Sequence, residues 1–399
     1  MTRKIILSTI VALTVFVGAF VCPTAQAMQN PWDVCAKINY KGDFLCYRLS
    51  QNLPNDANAN LRGFYLSAKQ KRQIANDLLA LGLPNVAVYN YVLPNFNSIL
   101  QHFGYVERPK QDATVSFDGN FRYTGCQNGV EIDVDTLFDK LLCGGQFDLP
   151  LVVHKAVTEQ QIRQHVVQKS TFFTSFNTEN KARSHNICLA TQSVNGTTVL
   201  PGQTFSFNNV VGKRTAERGY QNAKVIVDGA YTDGIGGGVC QVSTTLYNAL
   251  LLAGLPAKAC QHSLVPSYVM AGFDAMVSDG IADLTFVNVT NYPIYIKGQV
   301  DGNKIHFTVF GTPNTFEIVR QNVEQRQPFN TVFVVDATKY PNLVFQTDRQ
   351  VVQNGSDGVV AEAFLQYFQQ GQLVKKIKIR TCNYKKVDMV IAQGALPTP

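Results

Sequence analysis

After residue 27, this sequence of 399 residues lacks any apolar segment long enough to cross a bilayer, so we expect a soluble or peripheral protein. Its histidines and cysteines lack the closely spaced pairs that are typical of zinc sites. The three glycines at 236–238 are not followed by the Lys-Ser/Thr of a phosphate-binding loop. No segment is typical of a nucleic-acid-binding module. We therefore expect no metal, no cofactor and no nucleic-acid partner.

The first residues have the order of a secretory signal peptide: a charged start, an apolar stretch over residues 5–21, and an A-x-A pattern at residues 25–27. We predict a signal peptide over residues 1–27 and a polar, cysteine-bearing leading segment over residues 28–48. The alternative is an uncleaved membrane anchor, because the apolar stretch is near the lower length limit for a bilayer span. We expect the protein to be secreted or to lie on the extracellular face of the cell envelope.

Cysteines are few enough to be considered one by one. Of the nine, Cys22 lies within the predicted signal peptide, which leaves eight in a compartment that permits disulfides. The eight are Cys35, Cys46, Cys126, Cys143, Cys188, Cys240, Cys260 and Cys382. Cys35 with Cys46 and Cys126 with Cys143 are candidate local pairs, although connectivity does not follow from sequence.

The charge balance is mildly basic. The formal net charge is +7, and it becomes +5 when the two cations of the predicted signal peptide, Arg3 and Lys4, are subtracted. Much of the excess lies late in the chain, at Lys375, Lys376, Lys378, Arg380, Lys385 and Lys386. Such a patch can meet an acidic polymer such as a cell-wall glycan, or lipid headgroups, and the alternative is a solvated sheet face.

Hydrophobic periodicity predicts an α+β, multidomain fold. The first half has helical spacing over residues 67–81, 95–103 and 134–142, and strand patterns at 113–117, 121–123 and 149–153. Residues 286–380 alternate repeatedly between apolar and polar, which predicts strands joined by turns. We therefore expect an N-terminal α+β domain, a central α+β domain and a β-rich C-terminal region.

Cys240 lies between a glycine-rich turn and a helical pattern. The turn consists of Gly236, Gly237 and Gly238, and the apolar residues that recur after it are Val242, Leu246, Ala249, Leu250 and Ala253. Gly254 and Pro256 end the pattern. Cys240 is thus predicted at the start of an amphipathic helix. There the unpaired N–H groups and the positive end of the helix dipole stabilise a thiolate and lower the pKa of the thiol.

A cysteine nucleophile needs a base and a group that orients the base. His262 follows the helix and is the candidate base, while Asp274 or Asp283 is the candidate orienting group. We predict Cys240, His262 and Asp274 as the catalytic set. The alternatives are a disulfide between Cys240 and Cys260, a small buried Cys240, and a His262 that is hydrogen-bonded only for structure.

Five further residues are candidates for substrate binding. Arg214 and Arg218 belong to a charged cluster, and an arginine can hold a carboxylate through two parallel hydrogen bonds. The alternative for this cluster is a solvated turn. Gly237, Gly238 and Gln241 of the glycine-rich motif complete the predicted binding set.

A dense set of motifs runs through the central region. In chain order these are LPGQTFSFN at 200–208, Gly219-Tyr220, GGGVCQVSTTLYNA at 236–249, His262-Ser263, Tyr268, GFDA at 272–275 and Asp283-Leu284. In these motifs residues 186–312 resemble the VanW family of exported bacterial proteins. The resemblance implies a place in the Gram-positive cell envelope and a link to glycopeptide resistance, and it implies no particular reaction.

Two flanking regions also resemble known modules. Residues 49–165 resemble, by pattern, the peptidoglycan-binding domain that often precedes a VanW-like domain. Residues 313–399 form a β-rich region that is similar to a G5 module, although it departs from that module at several glycine positions. These resemblances imply peptidoglycan or a wall peptide as the ligand. They imply no oligomeric state.

Two functions of different classes follow. In the first, the protein is a non-enzymatic envelope protein that binds peptidoglycan or its precursors, linked to glycopeptide resistance or wall remodelling, with a structural Cys240. In the second, it is a cysteine-dependent acyl transferase or peptidase acting on wall peptides. The short likeness of its cysteine, helix and later histidine to papain-like and transglutaminase-like enzymes points to this second function. We take envelope binding as the main expectation and catalysis as the alternative.

Overall fold

The computed structural model describes residues 35–48, 68–84, 88, 96–227 and 230–397. The predicted signal peptide and Cys22 lie outside the described residues. Among the helices in this described part, none is long and apolar enough to cross a bilayer.

The chain divides into two compact units. In the described part, the first unit contains the residues up to Asp112 together with Cys126–Ala156, and the second contains Ala113–Gly125 and everything from Val157 onward. Both contain helices and strands, and the second ends in strands alone, which confirms the predicted α+β multidomain fold with a β-rich C-terminus. Two stretches of the predicted peptidoglycan-binding segment, residues 113–125 and 157–165, belong to the second unit.

The helices and strands of the described part are numbered in chain order. The helices are α1 (Ala68–Ala80), α2 (Phe96–His102), α3 (Val134–Cys143), α4 (Glu159–Arg163), α5 (Lys181–Val194), α6 (Phe207–Val211) and α7 (Val239–Leu252). The strands up to the middle of the chain are β1 (Cys35–Tyr40), β2 (Asp43–Arg48), β3 (Val115–Phe117), β4 (Phe121–Tyr123), β5 (Gly129–Ile132), β6 (Gly145–Asp148), β7 (Leu151–His154), β8 (Val167–Ser175), β9 (Thr197–Val199), β10 (Thr204–Ser206), β11 (Asn222–Val227) and β12 (Ala230–Ile235). The later strands are β13 (Thr285–Val287), β14 (Ile294–Asp301), β15 (Lys304–Gly311), β16 (Glu317–Gln327), β17 (Thr331–Val334), β18 (Arg349–Gln353), β19 (Gly358–Gln369), β20 (Gln372–Tyr384) and β21 (Met389–Gln393).

The first unit has a small core of its own. β1 pairs antiparallel with β2 and parallel with β6, and the apolar face of α3 packs against this sheet. Leu137, Phe138 and Leu141 are buried there because the helical period places them on one side of α3. Asp133 caps α3 by accepting a hydrogen bond from the Thr136 N–H at 2.9 Å.

A four-stranded antiparallel sheet forms the centre of the second unit, in the order β8-β15-β14-β9. Ile305, Phe307 and Val309 alternate along β15 and are fully buried, which confirms the strand predicted from that alternation. α7 packs against β8 and β15, while α5 packs against β14. The helix that follows the glycine-rich motif is therefore packed on this sheet.

Helix α7 confirms the predicted helix but corrects its predicted amphipathic character. All residues from Gln241 to Leu251 are buried, the polar ones included. The polar side chains are accommodated because each has an internal partner. For example, Thr245 Oγ1 is 2.8 Å from Thr174 Oγ1, and Ser243 Oγ donates to the Ala275 carbonyl at 2.6 Å. From Gln241 to Leu251 the helix is therefore buried on all its faces.

The C-terminal strands form two sheets, and one of them shares the core of the central region. β16, β19 and β20 make an antiparallel sheet, while β17, β21 and β18 make a mixed one. Ala363 and Leu365 of β19 are buried in the same cluster as Val242 and Leu246 of α7. The first C-terminal sheet is thus packed onto the central region rather than tethered beside it.

The burial of α7 predicts a large cost for truncating its apolar side chains. Leu250 is fully buried, so Leu250→Ala should lower the free energy of unfolding by about 2–5 kcal/mol, through lost transfer energy and a residual cavity. Leu200 is 55% exposed, so Leu200→Ala should stay within about 0.5 kcal/mol of the parent. Urea unfolding followed by circular dichroism measures both. Equal effects of the two substitutions would contradict the placement of α7.

Candidate active site

The glycine-rich turn delivers Cys240 to the second position of α7. Gly236 and Gly238 have φ angles of 89° and 107°, a region that favours glycine. A Cβ at Gly238 would also lie 3.0 Å from side-chain atoms of Arg183 and Ile187. Cys240 lies in the first turn of α7, at the positive end of the helix dipole, and no side chain caps this N-terminus.

A buried asparagine of α5 holds this turn in place. Asn186 Nδ2 donates to the carbonyls of Gln221 at 2.9 Å and Gly237 at 3.0 Å, and its Oδ1 accepts from the Gln221 N–H at 2.8 Å. Gly237 packs so closely on β11 that a Cβ there would lie 2.6 Å from the Lys224 carbonyl oxygen. The position of the Cys240 backbone is therefore fixed from two sides.

The Cys240 side chain is partly exposed and has two polar neighbours. Its Sγ donates to the Val277 carbonyl oxygen at 3.4 Å, and the ring of His262, which lines the same cleft, interacts with the thiol. Burial acts to raise the pKa of the thiol, but the hydrogen bond with His262 and the charge of that ring outweigh burial and lower the pKa below its ordinary value. The cysteine is therefore set up to ionise.

His262 lies between the thiol and a buried carboxylate. Its Nδ1 is 2.7 Å from Asp274 Oδ2, and the backbone N–H of His262 donates to the same oxygen at 2.6 Å. Because Nδ1 contacts the carboxylate, Nε2 is the ring nitrogen left for the thiol. Burial acts to lower the pKa of His262, but the hydrogen bonds with Asp274 and Cys240 raise it to about 9. A thiolate and an imidazolium are thus favoured together.

The carboxylate of Asp274 is completely buried and has partners on both oxygens. Oδ1 accepts from Arg380 Nη2 at 2.9 Å and from the Tyr384 hydroxyl at 2.5 Å, while Oδ2 accepts from His262. Burial acts to raise the pKa of Asp274, but the hydrogen bond and charge of His262, followed by the charge of Arg380, lower it. Asp274 is therefore an ionised group that receives all its hydrogen bonds from protein.

A cleft of about 850 Å³ gives access to the thiol. Five of the residues predicted for catalysis or binding line it: Cys240, His262, Arg214, Gly238 and Gln241. Gln241 Oε1 accepts from Arg183 Nη2 at 2.7 Å, and its Nε2 donates to the Ser175 carbonyl at 2.8 Å. Arg183 and Tyr268 also line the cleft, although the sequence analysis gave neither a role.

The remaining predicted residues lie elsewhere. Arg218 donates to the Val211 carbonyl at 2.8 Å and Gly237 is buried against β11, and neither lines the cleft. Arg214 does line it, but its Nη1 is already 2.5 Å from Asp279 Oδ1. The binding roles of these residues stay predictions. Arg380, assigned by sequence to a basic patch, is turned inward instead, with 15% of its side chain exposed.

Neither the alternative orienting group nor the alternative disulfide partner is bonded to the catalytic set in the described part of the chain. Asp283 does not contact His262 among the described interactions; it accepts from Ser206 Oγ at 2.5 Å and from the Asn208 N–H at 2.9 Å, at the start of α6. Cys240 and Cys260 are both free thiols, and Cys260 is exposed. Within the described residues, no three His, Cys, Asp or Glu side chains are grouped to hold a metal ion.

Comparisons with known proteins agree with the resemblance seen in the sequence. Residues 182–310 match the family described as VanW like protein, so this part of the chain is similar to that family. The uncharacterized protein YoaR of Bacillus subtilis (strain 168) is 42% identical over 166 residues, which are 41% of this chain and 52% of YoaR. Vancomycin B-type resistance protein VanW of Enterococcus faecalis (strain ATCC 700802 / V583) is 26% identical over 223 residues, which are 54% of this chain and 74% of that protein.

The match to YoaR thus spans about half of that protein's length. Among solved structures, the G5 domain of IgA1 protease is 18% identical and has a TM-score of 0.15, covering 21% of this chain and 95% of that domain. A likeness of this size carries no argument about function, and the binding role of residues 313–399 stays a prediction.

The thiol–imidazole pair predicts an unusual pH profile for alkylation of Cys240. A thiolate exists above the lowered pKa of Cys240, and the imidazolium persists until the pH approaches about 9. At about pH 6.5 an ordinary thiol is only about 1% ionised. Iodoacetamide should therefore label Cys240 of the parent protein at least about tenfold faster than it labels Cys240 of the His262→Ala variant. In that variant burial remains without the compensating imidazole, and the pKa of Cys240 should rise.

Peptide mapping by mass spectrometry measures these rates. Labelling of the exposed Cys260 in the same samples corrects for general reactivity, and His185→Ala is the matched control, because His185 bonds the Gly219 carbonyl instead of the thiol. A His262→Ala profile identical to that of the parent would contradict the proposed pair.

Proposed function

We propose that this protein is a cysteine-dependent acyl transferase or peptidase that acts on wall peptides at the cell envelope. One observation carries the proposal: a partly exposed thiol at the start of a buried helix lines the same cleft as a histidine whose Nδ1 contacts a buried carboxylate. These three groups supply a nucleophile, a proton carrier and a group that orients it. A purely structural cysteine would need neither the histidine nor the cleft.

The reaction follows from the positions of the protons. The Cys240 thiolate attacks the carbonyl carbon of an amide, and a C–S bond forms. The C–N bond then breaks as the His262 imidazolium gives its proton to the leaving amine, which leaves a thioester on Cys240. Water or an acceptor amine attacks the thioester and loses a proton to His262, and the C–S bond breaks. Water gives hydrolysis, whereas an amine gives acyl transfer.

The lining of the cleft favours a substrate that carries carboxylates. Arg183, Arg214 and Lys224 line it, against the single carboxylate of Asp279, so the lining has a positive balance although Arg214 is paired with Asp279 and Lys224 with Asp233. An arginine can hold a carboxylate through two hydrogen bonds, and partial burial strengthens such contacts. Peptides of the bacterial wall carry free carboxylates beside their amide bonds, so they suit both the nucleophile and this lining.

The assignment to the envelope rests on other grounds. The first residues have the order of a signal peptide, and the VanW-like domain has a relative whose name places it in vancomycin resistance. Binding to peptidoglycan is a natural part of such a function, since an enzyme acting on an insoluble polymer gains from being held on it. The first unit, with its own core, is the part we assign to that binding.

The test is turnover of soluble peptidoglycan fragments, released from cell walls by a muramidase, followed by mass spectrometry with and without an added acceptor amine. Cys240→Ala should abolish product formation, because the nucleophile is lost, while circular dichroism stays that of the parent. Cys188→Ala, at an exposed cysteine of the same domain, is the matched control and should leave turnover unchanged.

The outcomes separate the two classes of function. Product from the parent and from Cys188→Ala but not from Cys240→Ala supports the enzyme. Equal product formation by Cys240→Ala and by the parent would contradict the enzymatic function. Retention of both parent and Cys240→Ala on insoluble peptidoglycan, with no product from either, would favour the non-enzymatic binding protein instead.

A further inference from the structure

We propose that Arg380 and Tyr384 of β20 are positioning residues for the catalytic pair, so that the first C-terminal sheet forms part of the active site. This inference rests on the proposed function. Both side chains reach Asp274 Oδ1, on the side of the carboxylate opposite to the one that contacts His262. They come from the β-rich region that the sequence assigned to a separate binding module.

Arg380 connects the two segments that carry His262 and Asp274. Its Nε donates to the Gly272 carbonyl at 2.8 Å, its Nη1 to the Ala259 carbonyl at 3.3 Å and its Nη2 to Asp274 Oδ1 at 2.9 Å. Nη2 also bonds the Asp274 carbonyl. The planar guanidinium thus spans both segments at once, which a lysine cannot do with a single ammonium group.

Tyr384, at the end of β20, connects Gly272 to the carboxylate of Asp274 through its hydroxyl. Its hydroxyl donates to Asp274 Oδ1 at 2.5 Å and accepts from the Gly272 N–H at 2.8 Å. The phenol is therefore fixed in the orientation that points its proton at the carboxylate. Burial raises the pKa of Tyr384, and Asp274 raises it further, so the hydroxyl keeps this proton.

The segment that carries His262 is itself bound to the end of β20. Gln261 Nε2 donates to the Asn383 carbonyl at 2.7 Å, and the Lys385 N–H donates to the Ser263 carbonyl at 2.8 Å. These contacts flank His262 on both sides in the sequence. The imidazole is therefore placed by the sheet through its backbone as well as through Asp274.

Close packing leaves little room for the sheet to move. A Cβ at Gly272 would lie 2.9 Å from the Ala363 Cβ of β19, so backbone and strand are in direct contact there. Cys382 and Tyr384 are buried in one cluster with Ala271. Shifts of the sheet would be transmitted directly to the segment that bears Asp274.

The electrostatic role follows from burial. A carboxylate without water stays ionised only if cations and donors surround it. The groups that face Asp274 are His262, Arg380, Tyr384, Tyr247, Tyr268 and Cys382, and Arg380 lies 5.3 Å from the centre of the Tyr247 ring. Arg380 and Tyr384 therefore hold the charge that orients the Nδ1–H of His262 toward Asp274 and leaves Nε2 on the side of Cys240.

The experiment measures the pH profile of Cys240 alkylation by iodoacetamide in the full chain, because this readout needs no substrate. Tyr384→Phe removes one hydrogen bond while keeping the ring, and should slow labelling at about pH 6.5 about threefold. Arg380→Met should slow it about tenfold or more, and Arg380→Lys should recover part of the loss, since the charge returns without the fork. Lys378→Met, an exposed position on the same strand paired with Glu362, is the matched control and should leave the profile unchanged.

Circular dichroism of each variant separates positioning from unfolding. If Arg380→Met fails to fold, Tyr384→Phe and Arg380→Lys still decide the question. A parent profile with low-pH reactivity that is unchanged in folded Tyr384→Phe and Arg380→Lys would overturn this inference and leave the proposed function standing. A parent Cys240 that labels like an ordinary thiol would overturn the proposed function, and this inference with it.

Discussion

The fully buried carboxylate of Asp274 is the constraint on which the rest of this site depends. Such a group is costly unless every oxygen lone pair has a donor and a positive charge is near. The chain meets that requirement with groups from two places: His262 on one oxygen, and Arg380 with Tyr384 on the other. The central region and the first C-terminal sheet therefore have to fold onto each other for either to be satisfied. The shared apolar core that contains Ala363 and Leu365 is the packing counterpart of this polar contact.

Much of the site could be predicted from sequence because its parts are marked by patterns of residues that are close together in the chain. The glycines before Cys240, the helical spacing after it and the stop at Gly254 are short-range patterns, and α7 follows them. His262 and Asp274 were found as residue types that a thiol requires, and the structure brings both to it. Arg380 and Tyr384 could not be found this way, because they lie more than a hundred residues from Asp274 in sequence. The one sequence feature that pointed to Arg380 and Tyr384 is their two-residue spacing with Cys382, which places all three on one face of β20.

The amphipathic helix is the instructive error. An amphipathic helix has a polar face in water, and on α7 that face would include Ser243, Thr244, Thr245 and Asn248. In the structure they bind neighbouring backbone and side chains instead, and Asn248 accepts from Arg320 of β16 at 2.5 Å. Such partners come from strands far away in sequence, which periodicity cannot represent. The polar face of a helix can therefore either face solvent or make specific contacts inside the protein. Only the tertiary structure distinguishes these two cases.

Two independent supports act on the two halves of the thiol–imidazole pair. Asn186 and the close packing of Gly237 on β11 fix the turn that carries the sulfur, whereas β20 fixes the segment that carries the imidazole. Neither support touches the other partner of the pair. The geometry of the pair is therefore a consequence of how α5 and β20 are placed around α7, and a change in either placement alters the separation of sulfur and nitrogen. Because the pKa of Cys240 is lowered by the imidazole beside it, that pKa depends on the placement of both α5 and β20.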